Sequence, residues 1–219
     1  MARHPERPQL SSQRDIRNPL FARLYTRFAA RSAEKDQNRT RLLEDLNGRV
    51  LELGCGAGFN FARYPQTVTE VIGVEPEPYM RERAERAAAG APVPVKVVAG
   101  DADHLPLEGG SADAAVCSLV LCSVPDQDSA LAELRRVLRP GGRLHFYEHV
   151  AARNRVGQTL QRAADATFWP HAFGNCHTAR DTEAAIEQAG FQIERSERLM
   201  FPDVEFPHPH VLGRAVLPG

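Results

Sequence analysis

The sequence predicts a single α/β domain built on a mostly parallel sheet of about seven strands, with helices on both faces. Three observations predict it. From Arg49 onward, short apolar runs alternate with segments of helical spacing. The runs are continuously apolar, as strands covered on both faces are. One of them passes through Glu52-Leu53 into three alternating glycines, Gly54, Gly56 and Gly58, and then into a helical pattern. At 219 residues the chain is long enough to bury one large core.

The elements follow in order. Residues 1–14 are polar, rich in Pro and Arg and without period, so they are expected to be a flexible tail. The single domain then spans 15–219 and opens with a helical cap over 15–47. In that cap Ile16, Leu20, Leu24 and Phe28 recur every four positions, followed by Leu42, Leu43 and Leu46, with a break near Ala33. Strands are expected at Val50–Leu53, Val71–Glu75, Val95–Gly100, Ala112–Val120 and Arg143–Val150. Helices are expected between them at Asn60–Tyr64, Pro78–Ala89 and Ser129–Leu138. Asp126 or Asp128 caps the last of these, and Pro140-Gly141-Gly142 ends it. Residues 152–170 read as helical, with Leu160, Ala163, Ala164, Thr167 and Phe168 on one side. Thr178-x-x-Asp181 is a capping-box-like start for a helix ending at Gly190. Strands near Phe191–Arg195 and Leu212–Leu217 complete the sheet as an antiparallel edge.

A hydrophobic content of 42% and a charged content of 25% are ordinary for a globular protein. The formal net charge of −1 points to neither nucleic acid nor an acidic membrane. Lys35 and Lys96 are the only lysines, so 25 of the 27 basic residues are arginine, an imbalance that compositional bias in the coding DNA explains. No pair among Cys55, Cys117, Cys122 and Cys176 has CxxC spacing, which argues against a zinc site or redox pair and for free thiols in a reducing compartment. No metal is expected. Neither a signal peptide nor an apolar run of about 20 residues is present, so no stable membrane insertion and a cytoplasmic location are expected.

The glycine loop carries the chemistry. Glycines allow a sharp turn and let a ligand lie against the backbone, and the helix start beyond them offers unpaired N–H groups. A dinucleotide fingerprint is G-x-G-x-x-G. Here the spacing is G-x-G-x-G, position 59 is Phe, and Glu52 would repel a pyrophosphate. The same carboxylate suits a cofactor carrying a sulfonium and an ammonium, which favours S-adenosylmethionine (SAM) over NAD. Glu75 closes the next strand, about 20 residues past the glycines, where an acid can hold both ribose hydroxyls. Asp101 closes a third strand, where it can meet the adenine amino group.

With these motifs in order, and Leu138-Arg139-Pro140-Gly141-Gly142 after them, the chain resembles the class I SAM-dependent methyltransferases over about residues 45–150. The resemblance implies a Rossmann-like seven-stranded sheet of order 3-2-1-4-5-7-6 with the last strand antiparallel. It also implies that Glu52, Gly54, Gly56 and Gly58 form the methionine-side loop, that Cys55 and Asn60 join the cofactor-binding residues and that Glu75 binds the ribose. Pro76 and Met80 would flank the adenine, Asp101 and Ala102 would meet its edge, and Ser118 and Leu119 would sit beneath the sulfonium. Ser118 through Val124, Glu148-His149-Val150, Gly174 through Thr178 and Pro209 through Gly213 are similar to the branch containing the animal alkyl-thiol S-methyltransferases. Those animal proteins begin with a hydrophobic anchor, whereas this chain begins polar and arginine-rich.

Methyl transfer from SAM needs alignment and exclusion of water more than it needs a base. A thiol acceptor, partly ionised near neutrality, gains little from a base, whereas a hydroxyl requires one. His149, at the end of the fifth strand, and His177, before the last helix, are the candidate catalytic residues, with capping or structural roles as the bland alternative. Phe168, Trp169, Pro170 and Phe173 suggest an apolar wall over the acceptor, with Tyr25 and Phe28 opposite, although core packing would explain them equally well. The expected function is methylation of a small-molecule acceptor, a thiol first, yielding S-adenosylhomocysteine. The alternatives are O- or N-methylation of a small metabolite, quinone precursor or phospholipid headgroup, then an NAD-dependent oxidoreductase or a non-catalytic SAM-binding protein. Nucleic-acid methylation is not expected, because Ser123-Val124-Pro125-Asp126 stands where an Asn/Asp-Pro-Pro-aromatic motif would be.

Overall fold

The structure is a computed structural model and describes residues 19–200 and 209–219. The expected tail 1–14 and Ile16 lie outside the described residues, as do the side chains of Leu20, Tyr25 and Phe28. The helical cap comprises α1 (Pro19–Lys35) and α2 (Gln37–Leu43). They break at Asp36, whose carboxylate accepts the Asn38 N–H at 3.0 Å and caps α2. The four-residue stripe does not mark the buried face of α1 at Leu24, which is 49% exposed, while Ala22, Thr26 and Ala33 are buried. Small residues let this helix lie close over the glycine loop. A shallow cavity of about 170 Å³ between them is lined by Thr26, Ala30, Ala57, Phe59, Arg83 and Arg86.

Seven strands follow: β1 (Gly48–Leu53), β2 (Val68–Val74), β3 (Val95–Val98), β4 (Ala112–Ser118), β5 (Leu138–His149), β6 (Gln192–Met200) and β7 (Pro209–Val216). Their order is 3-2-1-4-5-7-6, as expected. The pairs from β3 through β5 are parallel, and β7 runs antiparallel to both β5 and β6. Helices α3 (Pro78–Ala88), α4 (Gln127–Val137) and α7 (Thr182–Gln188) connect or precede strands of this sheet. One core packs Leu51 and Leu53 of β1 with Leu131, Leu134 and Ile186 of the helices. The other packs Val50 with Leu42, Leu43, Phe61, Tyr64 and Ala84. Alternation along β1 therefore turns Glu52 to the face of Phe61 and Tyr64.

Several local expectations need correction. The expected helix Asn60–Tyr64 is a single 3₁₀ turn, Phe61–Arg63, ended by Pro65 two residues later. Pro140-Gly141-Gly142 does not separate helix from strand. Helix α4 stops at Val137, and the three residues form a bulge inside β5, where the pairing with β4 shifts between Ala112 and Ala114 and Gly141 has φ 74°. Asp126, rather than Asp128, caps α4. The helix expected over 152–170 is two, α5 (Arg155–Asp165) and α6 (Trp169–Ala172), the second opening with Pro170 in its first turn. Thr178 starts no helix: its N–H and hydroxyl both donate to Asp165, while Asp181 caps α7.

Helix α5 is turned opposite to its apolar pattern. Leu160 is 67% exposed and Val156 72%. The inward side is polar: Gln161 takes the Ala152 N–H and donates to the carbonyls of Val150 and Thr178, and Gln158 donates to Ala152. Side-chain-to-backbone bonds, rather than apolar burial, fasten this helix to the domain.

Candidate active site

The carboxyl ends of β1, β2, β4 and β5 bring together Glu52, Glu75, Ser118 and His149 with the glycine loop. Glu52 is 2% exposed. The Asn60 amide donates to one of its oxygens and the Tyr64 hydroxyl to the other, each at 2.8 Å. Burial nevertheless pushes its carboxyl up to about 7, against the opposing pull of Tyr64, Asn60 and Arg39. Glu75, 5% exposed, accepts the N–H of Gly56 at 2.9 Å and that of Glu77 at 3.0 Å. Its carboxyl is likewise driven up to about 7, by burial first. Two buried acids flanking one loop form a site that favours a positively charged or hydroxyl-rich ligand over a phosphate.

The glycines divide the work. Gly54 and Gly58 have φ of 60° and 78°, and a Cβ would meet Val120 at 2.4 Å or Phe61 at 2.7 Å. Gly56 has φ 57° with nothing within 4 Å of the Cβ position. Packing therefore requires the first and third glycines, whereas the second faces open space in which a ligand can lie against the backbone. A sulfonium-bearing nucleoside fits these residues: an open cradle at Gly56, acids on both sides and no basic phosphate clamp in the loop.

Of the remaining expected cofactor residues, Cys55 is buried with its thiol pushed well up by burial. Met80 and Ala102 are buried and Pro76 half-buried beside α3, which Glu77 caps through the Met80 N–H. One oxygen of Asp101 accepts the His104 N–H at 2.9 Å, so this acid also pins its own turn. Ser118 accepts a bond from Arg39 at 3.1 Å. Leu119 has φ 58°, an αL conformation that costs a non-glycine residue strain. The strain is held on both sides: Leu119 N–H donates to the Tyr147 carbonyl at 2.7 Å, and the Glu148 carboxylate accepts the N–H groups of Val120, Leu121 and Cys122 at 3.0, 2.9 and 3.1 Å. Glu148 is fully buried and its carboxyl is raised by that burial.

The two histidines differ in setting. His149 Nδ1 lies 3.5 Å from Cys122 Sγ and 3.4 Å from Cys176 Sγ, and its ring packs 4.4 Å from that of His210. His177 is half-buried, and its backbone N–H donates to Cys122 O at 2.7 Å. Cys122 Sγ and Cys176 Sγ are 3.7 Å apart. The bond from Cys122, then His149, holds the Cys176 thiol well below the ordinary thiol range, while the same bond and burial push Cys122 up. Phe168 and Phe173 are 58% and 48% exposed, and Trp169 stacks on Phe173 at 4.1 Å. Core packing therefore does not account for Phe168 and Phe173, which form an exposed aromatic surface.

Sequence reasoning gave no site role to Arg39, Tyr64, Glu148, Arg180 or Arg81, the last of which donates to the carbonyls of Glu75 and Pro76 at 2.9 and 3.2 Å. Arg39, 5% exposed, reaches from α2 to Asn60 Oδ1 at 3.0 Å and Ser118 Oγ, with Asp36 3.7 Å away. Arg180 donates to the carbonyls of Leu121 and Val124, clamping the turn after β4. Nothing local marks the arginines in a chain whose basic residues are nearly all arginine, those of the cap reading as a solvated face, and the Glu148-His149-Val150 motif did not show that Glu148 seats the turn after β4. Arg39→Met is expected to cost about 3 kcal/mol, because it leaves buried polar partners behind. A urea unfolding midpoint equal to that of the parent chain would show that Arg39 contributes nothing.

The family described as "Methyltransferase domain" matches residues 51–146. A mouse protein, thiol S-methyltransferase TMT1B, is 37% identical over 211 residues, covering 90% of this chain and 85% of the mouse protein. The human thiol S-methyltransferase TMT1A is 34% identical over 171 residues, covering 76% and 70%. Among solved structures, a Bacillus halodurans protein named a "putative methyltransferase" superposes with a TM-score of 0.71 at 17% identity, covering 84% of this chain and all of that one.

Proposed function

Because this chain belongs to the SAM-dependent methyltransferases, we propose that it transfers the methyl group of SAM to a small thiol. The observation that carries the acceptor is the 37% identity to a thiol S-methyltransferase along nearly the whole chain, added to the acid-flanked glycine loop. SAM supplies an activated methyl on a sulfonium. Glu52, held by Asn60 and Tyr64, would bind the positively charged methionine end, with Gly54, Cys55, Gly56 and Gly58 supplying backbone contacts. Glu75 would hold the ribose hydroxyls, Pro76 and Met80 would bind the adenine ring, and Asp101 and Ala102 its edge. Ser118 and Leu119 would serve the sulfonium end, next to the turn that Glu148 and Arg180 hold.

With a thiol acceptor, one carbon–sulfur bond to the thiolate would form as the carbon–sulfonium bond breaks, and S-adenosylhomocysteine would leave. The thiol proton goes to solvent. Alignment and dehydration are the enzyme's share, worth up to about 7–11 kcal/mol of the barrier. The exposed rings of Phe168 and Phe173 suit an apolar acceptor. His149 and His177 are the groups from which a base would come if the acceptor were a hydroxyl.

The test follows S-adenosylhomocysteine release with an alkyl thiol, a catechol, an amine and a phospholipid, with His177→Ala alongside. Thiol-dependent release that persists in His177→Ala and rises with pH toward the acceptor's own pKa is expected. Release only with the catechol, lost in His177→Ala, would overturn the thiol assignment and make that histidine the base.

No helix among the described residues is long and apolar enough to cross a membrane.

A further inference from the structure

Cys122 lies in the turn after β4, His149 ends β5, and Cys176 lies in the loop after α6. They are separated by 27 and 27 residues along the chain, yet their Sγ, Nδ1 and Sγ atoms are mutual neighbours. The edges are 3.7 Å between the sulfurs and 3.5 and 3.4 Å from the sulfurs to Nδ1. Tetrahedral zinc, with sulfur at about 2.3 Å and nitrogen at about 2.0 Å, places two sulfurs about 3.8 Å apart and sulfur and nitrogen about 3.5 Å apart. The three edges therefore match one face of a zinc tetrahedron without rearrangement. A disulfide would need its sulfurs at about 2.05 Å, a much larger movement.

We propose that Cys122, His149 and Cys176 form a zinc site, supplying three ligands from among the described residues. The donors are soft and borderline, thiol sulfur and imidazole nitrogen, which select zinc over magnesium or calcium. Each ligand is set by its surroundings. Cys122 is fixed by its N–H to Glu148 and by its carbonyl to His177 N–H. The His149 ring is oriented against His210. The Cys176 loop is tied through Asn175 to Ser123 O at 2.7 Å. Such second-sphere support is what holds metal ligands in place. The cysteines are buried and His149 is half-buried, so the histidine is the member that solvent reaches. CxxC spacing is no guide here, because the ligands converge only through the sheet. With His149 Nδ1 on zinc, the base for a hydroxyl acceptor would fall to His177 alone, and the site is compatible with a thiol acceptor that needs no base.

The full chain, purified in reductant and stripped with a chelator, is titrated with Zn²⁺ against a chromophoric competitor and, separately, with Co²⁺. One equivalent of Zn²⁺ and a cobalt–thiolate charge-transfer band are expected, with a higher melting temperature in zinc. Cys122→Ser and Cys176→Ser should each weaken zinc binding by more than the about 10–100-fold typical of losing a second-sphere partner. Cys117→Ala, in the core of β4, should leave it unchanged. If a serine variant fails to fold, the cobalt band of the parent chain decides the matter by itself. Absence of stoichiometric binding, a cobalt spectrum without a thiolate band, or equal affinity in folded Cys122→Ser and Cys176→Ser would overturn the site.

Discussion

Glu75→Ala is expected to weaken SAM binding by about 100-fold or more, with kcat at saturating SAM changed far less. A hydrogen bond to a charged group contributes about 1.5–3 kcal/mol, and the proposed ribose contact uses two. The carboxylate also organises its own surroundings, because Gly56 and Glu77 donate to it. Glu75→Gln, which keeps an acceptor, should fall between the two. Titration calorimetry reads the effect directly, and a Kd within about threefold of the parent would remove Glu75 from the cofactor site. Gly56→Ala is an independent check on the same cradle. Its Cβ meets nothing in the protein, so the fold should lose only about 1–2 kcal/mol for the left-handed backbone while cofactor binding falls. Gly54→Ala should behave in the opposite order, losing stability first, because its Cβ would stand 2.4 Å from Val120.

The ligand-free protein is expected to lose stability as pH rises from about 5 to about 8, and SAM affinity to rise over the same interval. Glu52 and Glu75 have ordinary unfolded values near 4.5 and folded values of about 7. A carboxyl raised on folding contributes stability that is fully present below the unfolded value and lost as pH climbs through the folded one. For a shift of this size the loss is about 3 kcal/mol per group. A cofactor carrying positive charge binds the ionised form of Glu52, so binding below neutral pH must release a proton. Denaturant midpoints across pH 5–8, with and without SAM, check both halves. A flat profile for the free protein, or affinity that falls with rising pH, would contradict the assignment.

The fold was legible because it rests on short-range signals. Val50–Leu53 and Val71–Val74 are continuous apolar runs, the glycine loop lies between a strand and a helical turn, and alternation along β1 makes Glu52 an acid on a buried face. Helix termini were less legible. Thr178-x-x-Asp181 reads as a capping box starting at Thr178, but Thr178 bonds to Asp165 at the end of α5 and Asp181 is the cap. The face of α5 could not be read from its pattern at all, since glutamine-to-backbone bonds hold the polar side inward.

By itself the sequence determined the strand count, the parallel sheet and the run of strand-end acids around the glycine loop, because each depends on residues a few positions apart. Tertiary structure alone decided which distant groups share a space. Arg39 reaches Asn60 and Ser118 across 21 and 79 residues, Glu148 seats the turn after β4, and Cys122, His149 and Cys176 converge from three segments. The reason is physical: periodicity reports burial along one element, whereas a buried polar group is stable only where partners from other elements meet it.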